Sequence, residues 1–386
     1  MKYRVLHLIR KKSQLKSSFI QNQILNHIDF EPFVVFRFNN SKNSSGFVEI
    51  NEDNLNLLDL SDSETFPDRL CFFLFKRISK RQSKVLLNYI NKNEINILHF
   101  HYGSDAGIYV PLLKVTKLPS VVSFYGYDCS GFPKRTFGLG NFWLKKRVFR
   151  FVFKVLAMSP DMKRDLIELG CHENKIILQY HGVDVHKFKS IHKYYNVDNL
   201  IKFLIISGLV PKKGHKFLLK SFVKAYEKNN NIRLTIIGKG PLFEEISGFI
   251  KKNNLEEIVE LIGPVIYGSQ EHIEYFNSHD VFVHPSVTDK NGDKEGIPGA
   301  IIEAMAAGLP VISTYHAGIP YIIENEITGL LVKEWDINAL SEAIIKMADS
   351  QYLREKLGKA GQEYALTNLD LKNKEIDLEN IYYTII

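Results

Sequence analysis

A chain of 386 residues, 45% of them hydrophobic, is too long for one ordinary core and supplies enough apolar side chains for two. Three widely spaced cysteines argue against a disulfide framework and fit a reducing compartment. The first residues do not form a signal peptide, and no run approaches the ~20 apolar residues that span a bilayer, so we expect a cytoplasmic protein. The net charge of +7 is uneven: residues 1–185 hold 27 Lys and Arg against 17 Asp and Glu, a net +10, which leaves −3 for the remainder.

Short apolar segments alternate with longer amphipathic ones along the whole chain, a pattern that predicts parallel sheets covered by helices. Predicted strands of the first half are 4–9, 33–38, 97–100, 120–124, 154–158 and 175–179. Predicted strands of the second half are 202–207, 232–237, 259–262, 281–284, 310–313 and 329–332. Two such sets indicate an α/β protein with two doubly wound domains that face each other across a cleft. The boundary is expected after residue 188, in the polar run 189–199.

Two short stretches follow neighbouring predicted strands of the first half, His99-Phe-His-Tyr-Gly103 and Phe124-Tyr-Gly-Tyr-Asp128. Because ligands bind at the carboxyl ends of parallel strands, both stretches are predicted to point at the cleft. Two histidines at positions i and i+2 are able to bind a metal ion. We expect His99 and His101 to face opposite sides of a buried strand and therefore to be structural.

Residues 134–154 combine Lys and Arg with Phe and Trp. A basic amphipathic helix with aromatic side chains is typical of a peripheral contact with an anionic membrane. A core-facing aromatic stripe with a solvated basic face explains the same composition equally well. Nucleic-acid binding is not expected, because no recognised nucleic-acid motif accompanies the stretch.

Three loops of the second half carry glycines or lysines directly after a predicted strand. The loop 207–215 contains Lys212 and Lys213, and the turn 238–241 reads Gly-Lys-Gly-Pro. Glycines there let the backbone turn sharply and approach a ligand closely. The third loop is Leu261-Ile-Gly-Pro-Val265, and Val265 is its last residue. Each signal is weak alone, since such residues are also found in ordinary turns, solvated surfaces and strand ends.

Residues 295–303, Glu-Gly-Ile-Pro-Gly-Ala-Ile-Ile-Glu, are the most informative stretch. Pro298 is expected at the first position of a helix, where its missing N–H costs nothing. The free N–H groups at Gly299 and the helix dipole then form an anion site, with Glu295 just before it and Glu303 one turn inside. An anion flanked by two acids suggests a phosphate on a hydroxyl-rich molecule such as a nucleotide sugar. The alternative is that no ligand binds here. Glu295 is then an ordinary acid near a helix N-terminus, and Glu303 is a solvated acid on the helix surface.

This Glu-x7-Glu pattern, followed by Ala-Met-Ala-Ala-Gly-Leu-Pro-Val-Ile, resembles the donor-site signature of the retaining glycosyltransferases of family 4. The resemblance extends over most of the chain. It implies the two-domain GT-B fold, with residues 1–188 on the acceptor side, residues 189–368 binding the nucleotide sugar, and residues 369–386 forming a helix that crosses back to the first domain. It also implies transfer of a sugar to a glycan or lipid-linked acceptor, as in bacterial exopolysaccharide or lipopolysaccharide synthesis. We expect this sugar to be a hexose.

The resemblance further implies roles for individual residues. Glu295 is expected to contact the donor sugar, Glu303 to accept hydrogen bonds from the ribose, and Lys213 to stabilise the departing diphosphate. The expected donor-binding residues are Gly208, Lys212, Lys213, Gly238, Gly240, Pro241, Val265, Gly296, Ile297, Pro298, Gly299 and Glu303. The expected acceptor-side residues are Gly103, Gly126 and Asp128, and Tyr125 is expected to be catalytic together with Glu295.

Two positions depart from the family pattern. Many relatives carry an arginine where Gly208 stands, so one of two usual cations is missing unless Lys212 replaces it. Tyr125 takes the place of a histidine, and a phenol hardly titrates near neutral pH.

The Asp-x-Asp pair that binds Mg²⁺ or Mn²⁺ in the other main glycosyltransferase architecture does not occur, and the spacing of Asp289 and Asp293 does not fit a Ca²⁺ loop. Neither a metal nor another cofactor is therefore expected. Two alternative functions stay open: a nucleotide-sugar epimerase of similar fold, and a non-catalytic protein that binds a nucleotide sugar or a glycan.

Overall fold

The computed structural model describes residues 2–39, 55–189 and 200–386. The chain divides into two compact units, of which unit 1 comprises Met1–Gly182 with Lys372–Ile386 and unit 2 comprises Val183–Leu371. The predicted boundary at residue 188 lies a short way beyond this division. The predicted linker 189–199 lies, from residue 190 on, outside the described residues.

Unit 1 is built on a parallel sheet of seven strands in the order β3-β2-β1-β4-β5-β6-β7. Its strands are β1 (Tyr3–Leu8), β2 (Phe30–Phe36), β3 (Asn56–Asp59), β4 (Ile97–His101), β5 (Ser120–Ser123), β6 (Lys154–Ala157) and β7 (Ile176–Leu178). Its helices are α1 (Ser18–Leu25), α2 (Phe66–Phe75), α3 (Lys80–Lys92), α4 (Gly103–Ala106), α5 (Val110–Leu113), α6 (Gly131–Leu144) and α7 (Pro160–Glu168).

Unit 2 is built on a parallel sheet of six strands in the order β10-β9-β8-β11-β12-β13. Its strands are β8 (Ile201–Ile206), β9 (Ile232–Ile237), β10 (Val259–Ile262), β11 (Val281–Val283), β12 (Val311–Thr314) and β13 (Leu330–Val332). Its helices are α8 (Val185–Phe188), α9 (His215–Tyr226), α10 (Phe243–Lys252), α11 (Gln270–Ser278), α12 (Gly299–Ala306), α13 (Ile337–Asp349) and α14 (Gln351–Asn368). The winding reverses between β8 and β11, so the loops after these two strands open side by side, which is where such sheets bind ligands.

The last helix, α15 (Leu371–Tyr383), belongs to unit 1 from Lys372 onward. Leu378 and Tyr382 are fully buried, and they pack in one cluster with Val5, Phe30 and Ile97 of the unit 1 sheet. Burial of large apolar side chains of this kind stabilises a fold by about 1.5–3 kcal/mol each. The C-terminal segment is thus a part of the core of unit 1.

The twelve predicted strands are present, and the structure adds one. The edge strand β3 was not predicted, because a four-residue strand beside a polar stretch carries no clear alternation. Residues 134–154 form the end of α6, a π-helical turn over Lys145–Phe149 and the start of β6. In the described part of the chain, no helix has the length and apolarity needed to cross a membrane.

Candidate functional site

The loop after β8 carries Lys213 and is fixed against the end of β11. Gly214 has φ +72°, and a Cβ there would lie 2.0 Å from the carbonyl oxygen of Pro285, so only glycine fits. The N–H of Val287 donates to the carbonyl oxygen of Lys212 at 2.8 Å. The two loops that open beside the winding reversal therefore form one rigid piece.

Glu295 lies against both lysines of this loop. Its Oε2 is 3.1 Å from Nζ of Lys213, and its Oε1 is 3.9 Å from Nζ of Lys212, which also pairs with Asp293 at 3.2 Å. Burial raises the pKa of Glu295, but the two lysines outweigh it and hold that pKa at about 2. The carboxylate is therefore fully ionised at neutral pH.

Three buried polar atoms around this loop have no hydrogen-bond partner among the described residues. They are Oε1 of Glu295, Nε2 of His284, which follows β11, and Nδ1 of His215, the first residue of α9. Burial and the nearby Lys213 lower the pKa of His284 well below its usual value, so the imidazole is neutral. Because buried polar groups are nearly always hydrogen-bonded, such atoms are available to a ligand or a water molecule.

The glycines of the turn 238–241 let it cross the loop after β8. A Cβ on Gly238 would lie 1.9 Å from the carbonyl oxygen of Ser207, and a Cβ on Gly240 would lie 2.5 Å from that of Leu209. By contrast, a Cβ on Gly208 would meet only the carbonyl oxygen of Lys239, at 3.9 Å. The space for a side chain is thus present at Gly208. Of the other predicted residues here, Pro241 is exposed and Val265 is buried.

Helix α12 begins at Gly299, one residue later than predicted, so Pro298 is its N-cap residue and not its first helical residue. No side chain caps this end, which leaves the first N–H groups and the positive end of the helix dipole for an anion. Gly296 and Ile297 join the N-cap to Glu295. The predicted anion site and the predicted acid thus lie on one short segment.

Glu303 folds back toward the start of its own helix, where its Oε1 would lie 3.6 Å from a Cβ on Gly299. Burial raises its pKa to about 8, although a hydrogen bond from Tyr267 opposes the change. Its Oε2 lies 3.8 Å from Nε2 of His272, whose pKa burial and Lys187 lower to about 4. Both side chains are thus mainly neutral at pH 7, so this contact is not an ion pair.

The predicted acceptor-side residues meet at the carboxyl ends of β4 and β5 in unit 1. Asp128 is fully buried and accepts hydrogen bonds from the N–H groups of Gly103 at 2.7 Å and Tyr125 at 2.9 Å. Burial raises its pKa to about 6. Gly126 has φ +123°, a conformation that favours glycine. Asp128 therefore fastens the two strand ends to each other.

The prediction that His99 and His101 face opposite sides of the strand is wrong. Side chains alternate along a strand, so positions i and i+2 share a face, and the two rings stack with centroids 4.5 Å apart. His7 of β1 joins them, and the three have ligand atoms close enough to hold a metal ion. Their ring nitrogens nevertheless have protein partners, and stacked rings do not direct their lone pairs at one point. This geometry supports the structural interpretation.

The histidines form a hydrogen-bonded chain with Tyr125 at one end. The hydroxyl of Tyr125 lies 2.7 Å from Nδ1 of His101, Nε2 of His101 lies 2.9 Å from Nδ1 of His7, and Nε2 of His7 lies 3.0 Å from that of His27. Nδ1 of His27 then lies 3.1 Å from Glu379 in α15. The Tyr125 hydroxyl is thus bonded inside unit 1. A catalytic role of Tyr125 stays a prediction, which this placement does not favour.

Sequence reasoning did not select several residues that contact the candidate site. They are His284, which has the unpartnered nitrogen, Tyr267 and His272 beside Glu303, and His316 and Glu334 behind Glu295. His284 ends the predicted strand 281–284, and a polar residue at a strand end was available as a signal. The others lie far along the chain from the acids they contact, and no local pattern marks them.

Comparisons with known proteins agree with this architecture. Residues 62–187 match the family model "Glycosyltransferase Family 4", and residues 187–364 match the model "Glycosyl transferases group 1". Among solved structures, a glycosyltransferase from Rickettsia africae covers 100% of this chain and 98% of its own, with TM-score 0.74 and 17% identity. The structure of Anabaena HepE in complex with UDP and glucose covers 98% of this chain and 99% of its own, with TM-score 0.76 and 15% identity. These likenesses show the predicted GT-B fold.

Sequence relatives extend the agreement. The amylovoran biosynthesis glycosyltransferase AmsK of Erwinia amylovora is 31% identical over 74% of this chain and 70% of its own length. The putative colanic acid biosynthesis glycosyltransferase WcaL of Escherichia coli K12 is 34% identical to this chain. The aligned region covers 52% of this chain and 48% of WcaL. From these matches and the fold, the chain belongs to the family 4 glycosyltransferases.

Proposed function

We propose that this protein transfers a sugar, by expectation a hexose, from a nucleotide-sugar donor to a glycan or lipid-linked acceptor, with retention of the anomeric configuration. The pathway we propose is bacterial surface polysaccharide synthesis, since AmsK and WcaL are named for such pathways. We place the reaction in the cytoplasm. The donor would bind in unit 2, and its UDP or GDP identity is left to experiment.

One observation carries the proposal. Lys213 in the loop after β8 pairs with Glu295, whose Oε1 accepts no hydrogen bond from the described residues and which lies on the same short segment as the uncapped start of α12. A cation and a helix N-terminus stabilise the negative charge that develops on a departing diphosphate. The ionised Glu295 beside them would face the donor sugar, where positive charge builds as the glycosidic bond breaks. None of these groups requires a metal ion.

Nucleotide binding tests the assignment directly. We expect Lys213→Ala and Glu303→Ala each to weaken the binding of UDP or GDP in calorimetry, because one lost charge-assisted contact costs roughly 1.5–3 kcal/mol. Lys216→Ala is the matched control, since Lys216 lies on the adjacent helix α9 and pairs at the surface with Glu245. Wild-type affinity in both site variants would show that the nucleotide site is assigned wrongly.

Turnover with and without acceptor separates the remaining alternatives. A transferase releases nucleoside diphosphate faster when acceptor is present, whereas an epimerase converts the donor sugar without any acceptor. A non-catalytic binding protein does neither, although it would still bind the nucleotide sugar. A donor screen by thermal shift should come first, because a bound ligand stabilises the folded state by mass action.

We further propose that unit 1 contacts an anionic membrane, as the composition of residues 134–154 indicates. Part of this stretch is core, since Val148 and Phe149 are buried, but Phe142 is 61% exposed. The exposed apolar surface continues onto α2, where Phe73 is 71% exposed. Arg147 joins the two segments by donating to the carbonyl oxygen of Phe75 at 2.9 Å. Exposed aromatic rings beside basic side chains match the chemistry of an anionic lipid surface.

Liposome sedimentation tests this contact. We expect salt-sensitive binding to phosphatidylserine vesicles, and its loss when Lys145, Lys146 and Arg150 are neutralised, at ~1 kcal/mol for each charge. Arg147 is left intact because it supports α2. Neutralising the three exposed lysines Lys228, Lys251 and Lys252 of unit 2 is the control of equal charge. Co-sedimentation that survives the first triple substitution would assign the stretch to ordinary packing and favour a soluble glycan acceptor.

A further inference from the structure

Glu295, the acid that the proposed function places beside the donor sugar, is supported from behind by His316. The backbone N–H of Glu295 donates to Nε2 of His316 at 3.0 Å. His316 lies just after β12 and is fully buried. Its other ring nitrogen, Nδ1, lies 2.7 Å from Oε1 of Glu334, which follows β13. Residues that follow β12 and β13 thus meet behind Glu295.

The two hydrogen bonds of His316 allow only one form of its ring. Burial raises the pKa of Glu334, but hydrogen bonds from His316 and Thr288 outweigh this and hold the pKa below its usual value. An ionised carboxylate only accepts hydrogen bonds, so Nδ1 of His316 must carry the proton. Nε2 is then the bare nitrogen that accepts the N–H of Glu295. Glu334 therefore sets the tautomer that Glu295 needs.

Glu334 also holds the other end of the loop that leads to Glu295. Its Oε2 accepts the N–H of Thr288 at 2.7 Å. On the far side of Glu295, the N–H of Gly318 donates to the carbonyl oxygen of Gly296 at 3.2 Å. A Cβ on Gly318 would lie only 2.4 Å from that oxygen. Residues 288–296 are thus fixed at both ends by groups outside the loop.

The backbone next to both supporting residues is strained. Ala317 has φ 46° and Trp335 has φ 66°, and both conformations are uncommon for residues with a Cβ. Such strain persists only where the surrounding structure enforces it, and it clusters at functional sites. Ala317 directly follows His316, and Trp335 directly follows Glu334. The strain is an observation independent of the hydrogen bonds.

We propose that His316 and Glu334 are positioning residues that fix the backbone of Glu295, and with it the carboxylate that faces the donor sugar. The inference rests on the proposed function of Glu295. It predicts that the pair affects the chemical step more than nucleotide binding, because the backbone of the Lys213 loop is held separately, through Gly214 and Lys212, and Glu303 lies on α12.

Kinetics and binding of three variants test the proposal. We expect His316→Leu to lower kcat by about 100-fold, as a misplaced reacting group does, while calorimetric affinity for UDP or GDP stays near that of wild type. Glu334→Gln keeps an oxygen that is able to accept from Nδ1, so it should retain more activity than Glu334→Leu. His279→Leu is the matched control.

The control separates positioning from stability. His279 is a buried histidine at the amino end of β11, with Nε2 bonded to Thr235 at 2.9 Å and Nδ1 to the carbonyl oxygen of Tyr275 at 2.8 Å. Its loss should lower the melting temperature but leave kcat of the folded fraction unchanged. If His316→Leu and His279→Leu reduce kcat alike, in proportion to lost folded protein, the positioning role is refuted.

A spectroscopic measurement tests the pair without any activity. The ¹⁵N shifts of the His316 ring at pH 7, assigned with the His316→Leu variant, should show a protonated Nδ1 and a bare Nε2. The opposite tautomer or a charged ring would overturn the inference. If instead the tautomer is as expected but wild type transfers no sugar from any donor, the proposed function fails and the structural pair stands.

Discussion

If Glu303 accepts hydrogen bonds from the ribose as proposed, its raised pKa predicts that nucleotide binding depends on pH in a defined direction. Ribose hydroxyls donate hydrogen bonds best to an ionised carboxylate. With a pKa of about 8, only about a tenth of the unliganded protein carries that carboxylate at pH 7. Binding of a ribose to the ionised form would therefore release about one proton at pH 7. Affinity should rise about 10-fold from pH 7 to pH 9 and level off above the pKa.

Calorimetry with UDP and GDP, in buffers that differ in ionisation enthalpy, measures both the affinity and the released proton. Glu303→Gln is the matched control, since glutamine has the shape of the protonated acid and does not titrate. This variant should bind with no pH slope and no proton release. A slope that persists in Glu303→Gln would assign the pH dependence to another group. A flat profile in wild type would show that Glu303 does not take the ribose as a carboxylate.

The same pKa shift predicts a change in stability with the opposite pH sense. A folded-state pKa raised from 4.5 to about 8 means that the native protein holds a proton that the unfolded chain has lost. Stability is therefore lost as pH rises between these values, by about 5 kcal/mol at the upper end. Glu303→Gln removes this cost, so its melting temperature should exceed that of wild type at pH 8. Equal melting temperatures there would contradict the buried, protonated state.

Further predictions concern the rest of the candidate site and the histidine chain. Turnover should survive EDTA, and its loss in chelator with recovery in Mn²⁺ would contradict a metal-independent reaction. Glu295→Gln should lower kcat more than it raises KM, because the attraction between a carboxylate and the sugar increases as positive charge develops in the transition state. A raised KM alone would reassign Glu295 to ground-state binding. Gly208→Arg should tighten UDP or GDP binding about 10-fold by adding a cation where space exists, and unchanged affinity would place that space away from the diphosphate. Burial, with neighbouring histidines, lowers the pKa of His7 and His99, so the melting temperature should fall as pH drops below 6.5, and less steeply in His7→Gln.

The alternation of strands and helices was predictable because it depends on local sequence. Buried parallel strands are continuous apolar runs, so the central strands of both sheets stand out. The edge strand β3 pairs only with β2 and is at most half-buried, so its sequence carries no such signal. Helix α2 exposes Phe66, Phe73 and Leu74 to solvent, which is the reverse of the pattern that identifies a helix by its buried face. The missed strand thus follows from residues that do not pack as the rules assume.

Within the candidate site, the sequence indicated the residues on short segments but not those that contact them from other strands. Glu295, Pro298 and Glu303 share one nine-residue pattern, and the family resemblance assigned them together. His316 and Glu334 follow β12 and β13, and only the sheet order brings them behind Glu295. A fixed tautomer and a fixed loop are properties of the assembled sheet. No spacing along the chain encodes them.

The ionisation states of the two acids show what the fold adds to the motif. Both side chains are buried, yet the pKa of Glu295 is about 2 and that of Glu303 is about 8. The difference arises because two lysines from the loop after β8 reach Glu295, whereas no basic side chain forms an ion pair with Glu303 in the described part of the chain. An acid that stays charged suits the stabilisation of positive charge on a reacting sugar. An acid that ionised on binding would instead link nucleotide affinity to pH, and the Glu-x7-Glu pattern alone does not distinguish the two.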